Sequence, residues 1–139
     1  MGHTDQTRLL QAATVVAVVG VVGSVLFESL EYTPCRLCYR QRWLLTAVGV
    51  VSVGCLRYRS GALYGLGVVT ALTGATVAAY HTGLQLTAAS QPGCVAGGCE
   101  TVSYRVAGFV TIPMLSATAF GLTAVLLAAA VYDRVGGLR

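Results

Sequence analysis

The spacing of charge along this chain constrains its fold more than any other feature. Nine Arg and five acidic residues fall in five clusters: Asp5 and Arg8, Glu28 to Arg42, Arg57 and Arg59, Glu100 and Arg105, and Asp133 to Arg139. Four uncharged windows separate them, at residues 9–27, 43–56, 60–99 and 106–132. A chain of 139 residues cannot hide so much apolar surface in one water-facing core. The sequence therefore predicts an all-α membrane protein, one domain over 1–139 built as a four-transmembrane-helix bundle. The expected spans are 9–29, 36–56, 62–86 and 114–132, with a loop at 87–113. The formal charge of +4 is dispersed over the segment ends, which argues against a nucleic acid partner and leaves membrane lipid as the surrounding medium.

The second span carries the chemistry because of a length problem. Trp43 to Leu56 is fourteen residues, only about 21 Å of helix against about 30 Å of hydrocarbon. A crossing helix must begin near Cys35 or Arg36, and that draws Cys35-Arg36-Leu37-Cys38 to the membrane boundary. On helical spacing Cys35, Cys38 and Arg42 form one stripe, near the positive end of the helix dipole. Both features favour thiolate, so the pair is a candidate redox centre. Arg36 and Arg40 can snorkel to water. Arg42 lies deepest and calls for an anionic or hydrogen-bonding partner, either a lipid phosphate or a polar ligand beside Cys38. Glu28 and Glu31 read as interfacial charges closing the first span, and Cys55 as a small buried apolar residue.

The first span exceeds a signal peptide's apolar run and lacks a nearby cleavage pattern, so a retained helix is expected. In the third, Gly67, Ala71, Ala75 and Ala79 recur every four residues as a smooth ridge for a neighbouring helix. His81 and Gln85 share a face near its outer end, where a histidine can donate a hydrogen bond or relay a proton. The long connection places a second pair, Cys94 and Cys99, among glycines that let another protein's backbone approach. Val102 to Val106 is compatible with a short strand or with a segment lying on the membrane, and Pro113 suits the first position of the last span.

Four spans put both cysteine pairs on one side and both termini on the other. Five arginines on the terminal side against four on the cysteine side lean towards cytoplasmic termini and extracytoplasmic cysteines in a cell membrane. In an oxidising compartment the cysteines read as redox-active, as structural bridges, or as a four-cysteine zinc site. Zinc is disfavoured because it leaves Arg42 and His81 unexplained, and no metal is expected.

Three elements together resemble the DsbB/BdbC family of disulfide bond formation proteins: Cys35-x-Leu37-Cys38-x-x-Gln41-Arg42, Tyr80-His81-Thr82-x-Leu84-Gln85-Leu86, and the loop cysteine pair followed by Ile112-Pro113. The resemblance covers essentially the whole chain. It implies a four-helix, quinone-dependent protein-dithiol oxidoreductase with a redox-active centre, serving disulfide bond formation. Its cofactor would be a quinone of the ubiquinone or menaquinone type, and its partner an extracytoplasmic, DsbA-like thioredoxin-fold thiol oxidase. On this resemblance Cys94 takes the mixed disulfide with the partner, Cys99 exchanges with Cys35, and Cys38 passes electrons to the quinone. Arg42, His81 and Gln41 would flank that quinone. The short Cys94–Cys99 spacing matches BdbC-like members and limits how far one cysteine moves without the other. The vitamin K epoxide reductases, an alternative, carry their C-x-x-C on the last helix and fit poorly; a non-enzymatic membrane protein with structural disulfides or a four-cysteine metal site is the other alternative.

Overall fold

The structure, a computed structural model, describes residues 3–30, 35–88, 105–106 and 110–136. Its elements are α1 (His3–Ser29), α2 (Arg36–Tyr58), α3 (Gly61–Ala88), β1 (Arg105–Val106), β2 (Val110–Thr111) and α4 (Ile112–Gly136). In hydrocarbon every backbone N–H and C=O needs an internal partner, so long uncharged runs settle as helices. Their threonines follow the same rule. Thr70, Thr73 and Thr76, all on α3, return their hydroxyls to the carbonyls of Leu66, Val69 and Leu72 at 2.8–2.9 Å.

The helices run up, down, up, down. α1 packs along α2 and α4, and α3 along the same two, while α2 and α4 face each other across the diagonal with little contact. The buried residues of α2 are Gln41, Leu45, Val48, Ser52 and Cys55, spaced alternately by four and three. α3 keeps the same rhythm through Tyr64, Gly67, Ala71, Gly74, Ala78, His81 and Gln85. That 3.5-residue repeat is the seam of a left-handed bundle.

It also corrects the expected ridge of Gly67, Ala71, Ala75 and Ala79, because Ala75 is half-buried and Ala79 is exposed. Steps of four advance about 40° beyond a full turn, so after three steps the row has left the interface. Gly74 takes the place instead. A Cβ there would stand 2.2 Å from Cε1 of Phe120, so the glycine is what lets α3 meet the aromatic ring of α4.

Outside the seam the surface is apolar, with Val15, Val18, Val19 and Val22 of α1 and Val50 and Val53 of α2 exposed. Such a face belongs in lipid. α1, α3 and α4 are each long and apolar enough to cross a membrane. α2 has 23 residues, about 34 Å, but the arginines of its first two turns keep it out of that group.

Two ends of the bundle result. One gathers the close of α1, the start of α2, the close of α3 and the start of α4; the small antiparallel β1–β2 ribbon pairs Arg105 with Thr111 and Val106 with Val110 and leads directly into α4. The Arg105–Val106 part of the segment read above as strand or surface is thus strand. Pro113 stands second in α4 and not first, and the helix starts two residues before the expected span of 114–132. The opposite end holds the start of α1, the α2–α3 turn and the close of α4. There Arg59 caps α2 in the left-handed conformation (φ 48°), its N–H donating to Cys55 O at 3.0 Å.

Candidate active site

Cys35 is the N-cap of α2. Its extended backbone (φ −74°, ψ 170°) turns the chain into the helix, and Sγ accepts from Cys38 N–H at 3.4 Å, where Ser or Asp more often serves. One turn on, Cys38 Sγ stands 3.1 Å from Cys35 Sγ, both half-buried thiols. A sulfur at a helix N-cap receives the first N–H groups and the positive end of the dipole, which favours its thiolate.

The third member comes from α3. His81 is 1% exposed, and its Nε2 lies 3.6 Å from Cys35 Sγ. Its other nitrogen, Nδ1, meets Gln41 Nε2 at 3.0 Å, and Gln41 is itself 4% exposed. This contact couples the tautomer to the orientation of the amide. With the amide N–H donating to Nδ1, the imidazole proton sits on Nε2 and points at Cys35 Sγ; with the amide reversed, Nδ1–H donates to Oε1 and Nε2 offers a lone pair. Either way the buried amide fixes the ring against the thiol.

The expected stripe of Cys35, Cys38 and Arg42 divides at its third member. The buried face of α2 continues from Cys38 through Gln41 towards α3, while Arg42 turns to α1. Its NH1 donates to Glu28 Oε2 at 2.6 Å, Nε to Ser24 Oγ at 3.0 Å and NH2 to Ser24 O at 3.0 Å. Tyr39 O–H donates to the other Glu28 oxygen at 3.1 Å, and its ring centroid lies 5.5 Å from Arg42 Cζ. The anion that a deep arginine requires is thus supplied by the protein itself. Glu28 does more than close a helix, and neither a lipid phosphate nor an outside ligand is needed to neutralise Arg42. Glu31 lies outside the described residues.

Of the residues singled out by sequence, Cys35, Cys38, His81 and Gln41 come together, and Arg42 flanks them from the next position. Cys94 and Cys99 lie outside the described residues, although α3 closes and α4 opens at the Cys35 end. Cys55 is fully buried in the core near the opposite end. Sequence reasoning missed Ser24 and Tyr39. A signal existed for the first: Ser24 and Glu28 are four apart, hence on one face of α1, the two acceptors that a facing arginine needs.

Between α1 and α2, one turn below the Arg42–Ser24 contact, runs a cavity of about 350 Å³ that opens onto the apolar outer face, where Val18, Val22, Val50 and Val53 are exposed. Ala17, Val21, Leu45, Gly49, Val50 and Val53 line it, almost wholly with carbon.

The sequence profile of DsbB, "Disulfide bond formation protein DsbB", matches residues 5–130. Among individual proteins the chain is 34% identical over 120 residues to the "probable disulfide formation protein C" of Halalkalibacterium halodurans, covering 81% of this chain and 85% of that one. It is 32% identical over 118 residues to the "probable disulfide formation protein" of Chlamydia caviae, covering 83% and 85%. The SPbeta prophage-derived disulfide bond formation protein B of Bacillus subtilis is 27% identical over 107 residues, covering 74% and 72%. No solved structure matches the chain.

Proposed function

The chain belongs to the DsbB family of disulfide bond formation proteins, and on that premise we propose that it oxidises a reduced, DsbA-like thioredoxin-fold protein outside the cytoplasm and delivers the electrons to a membrane quinone. The observation that carries this reading is the dithiol at the mouth of α2 with His81 Nε2 3.6 Å from Cys35 Sγ. In the proposed sequence the partner's thiolate attacks the Cys94–Cys99 disulfide, and Cys99 in turn exchanges with Cys35 of the Cys35–Cys38 disulfide. The first exchange leaves a partner–Cys94 disulfide and the second a Cys99–Cys35 disulfide with Cys38 as the leaving thiolate; the partner's second thiolate then displaces Cys94, and Cys94 displaces Cys35 from Cys99. Each exchange breaks one S–S bond and forms another, so the oxidised partner departs, Cys94–Cys99 is restored and the two electrons end on the Cys35–Cys38 pair. A bound quinone would accept two electrons and two protons, leaving Cys35–Cys38 oxidised again.

This chain's residues suit those steps. When Cys35 is displaced from Cys99, the N-cap amide and His81 Nε2–H stabilise it as leaving thiolate; with the Gln41 amide reversed, the Nε2 lone pair takes the Cys35 S–H proton as the pair is reoxidised. Among the described residues three of Arg42's five N–H donors are engaged, which leaves two for a quinone oxygen beside the dithiol. The apolar cavity below suits the polyprenyl tail of such an acceptor, whose head would then lie level with Arg42. In this proposal α2 crosses as the fourth span and the termini are cytoplasmic.

Purified protein should consume a quinone, followed by its absorbance, only when a reduced thioredoxin-fold dithiol is supplied. A mixed disulfide with that partner should accumulate through Cys94 when Cys99 is replaced by Ser. Quinone reduction that ignores the dithiol would sink the reading.

A further inference from the structure

Cys35 Sγ, Cys38 Sγ and a ring nitrogen of His81 make a set of three ligating atoms, all within 4.8 Å of one another. The sequence argues against zinc because four cysteines alone leave His81 and Arg42 idle. In the structure His81 itself joins the sulfurs, and Arg42 is occupied by Glu28. We propose that the reduced Cys35–Cys38 pair and Nε2 of His81 bind one zinc ion, and that the ion protects the dithiol from oxidation.

Distances favour it. Tetrahedral zinc, with bonds of about 2.3 Å to sulfur and about 2.0–2.1 Å to nitrogen, has S···N edges of about 3.6 Å and S···S edges of about 3.8 Å. Cys35 Sγ to His81 Nε2 is already 3.6 Å. The sulfurs, at 3.1 Å, must part by about 0.7 Å, a small torsion of two side chains at an open helix end. The outer partner is also in place. A ligating histidine holds its second ring N–H against an acceptor, and Gln41 Oε1 provides one when its amide is turned to Nδ1–H.

Charge points the same way. Two thiolates and Zn²⁺ sum to zero, so the complex enters the lipid boundary without net charge, whereas a bare dithiolate does not. On binding, two S–H bonds give way to two Zn–S bonds and two protons leave to water; no electron moves. Zinc has no redox chemistry of its own, so it stores the reduced state without consuming it. Three protein ligands leave a fourth position for water. Sulfur lone pairs held in Zn–S bonds cannot form an S–S bond until the ion departs. That protective half rests on the oxidoreductase reading above; the binding half does not.

The test uses the full chain in detergent, reduced anaerobically with a phosphine and titrated with Zn²⁺ against a chromogenic chelator. Reduced protein should hold one zinc per chain, and protein with Cys35–Cys38 oxidised none. His81→Gln should weaken binding at least about tenfold, and His81→Cys, which returns a ligand atom, should restore it. The Cys94→Ser/Cys99→Ser double variant should bind as tightly as the wild type. Failure of the reduced wild type to retain zinc, full affinity in His81→Gln, or loss of binding in the loop variant each overturns the site. One equivalent of zinc should slow dithiol-dependent quinone reduction at least about tenfold, reversibly by chelator; unchanged turnover with zinc bound overturns the protective half. Absence of turnover even with chelator would count instead against the proposed function and leave the titration standing.

Discussion

Both ends of the bundle carry arginines and both hold a cysteine at or within one turn of an α2 terminus, yet they are built differently. At the dithiol end Arg42 is matched by a carboxylate, Glu28, and the sulfurs are half-buried beside a histidine. At the opposite end Arg59 and Arg134 are tied to neutral groups. Arg59 donates to Thr7 Oγ1 at 3.0 Å and to Gln6 Oε1 at 3.4 Å. Arg134 donates to Arg59 O and lies 5.4 Å from the Tyr64 ring centroid, while Gln6 reaches Ala130 O at 3.1 Å. These bonds lace the four helices together around Cys55, which is fully buried. The comparison separates an end arranged for reaction from an end arranged for holding.

The largest test of that division is the pair of cysteines. Cys38→Ser should lower dithiol-dependent quinone reduction about a thousandfold or more, because the proposed route passes through that sulfur. Cys55→Ala should stay within about twofold of the parent; a comparable loss there would erase the contrast. Next comes His81→Ala, expected to cost on the order of a hundredfold in turnover by removing the group that, in the proposed route, takes the Cys35 proton. It should also slow alkylation of Cys35 by a small reagent, which reports the thiolate directly. Glu28→Gln should act more mildly, raising the quinone KM about tenfold with a smaller change in kcat, since Arg42 keeps its charge and its Ser24 bonds but loses its carboxylate partner. An effect on kcat alone would place Glu28 in proton transfer. Smallest in activity is Arg134→Met. It should lower stability by about 1–2 kcal/mol through one charged hydrogen bond and a ring contact, seen as a lower melting temperature in detergent. Folded Arg134→Met should turn over at the parental rate, and a changed rate would show that the two ends are coupled.

Much of the architecture was legible because membrane solvation writes itself along the chain. Charge-free windows mark the helices, and α1, α3 and α4 are apolar enough to cross. The short apolar part of α2 points to a start at the cysteines, an argument that needs only a rise per residue. The dithiol's neighbours were less legible. His81 stands 46 residues from Cys35, and only the heptad rhythm of α3, which carries it inward with Ala78 and Gln85, brings the two together. Ala79 fell to the wrong side for the same reason, since a four-residue row drifts off the seam.

The sequence by itself determined what each segment must be: helices where no charge interrupts, a dithiol at the entrance of the second, and cations that are all arginine. Those are one-dimensional properties, set by transfer to hydrocarbon and by residue spacing. Only the tertiary structure decided which partners the polar side chains take. Whether Arg42 faces the sulfurs or Glu28, and whether Gln41 or Arg42 borders His81, depends on how α1, α2 and α3 are rotated about their axes. A rotation of one residue, about 100°, exchanges those neighbours while leaving every window and motif unchanged.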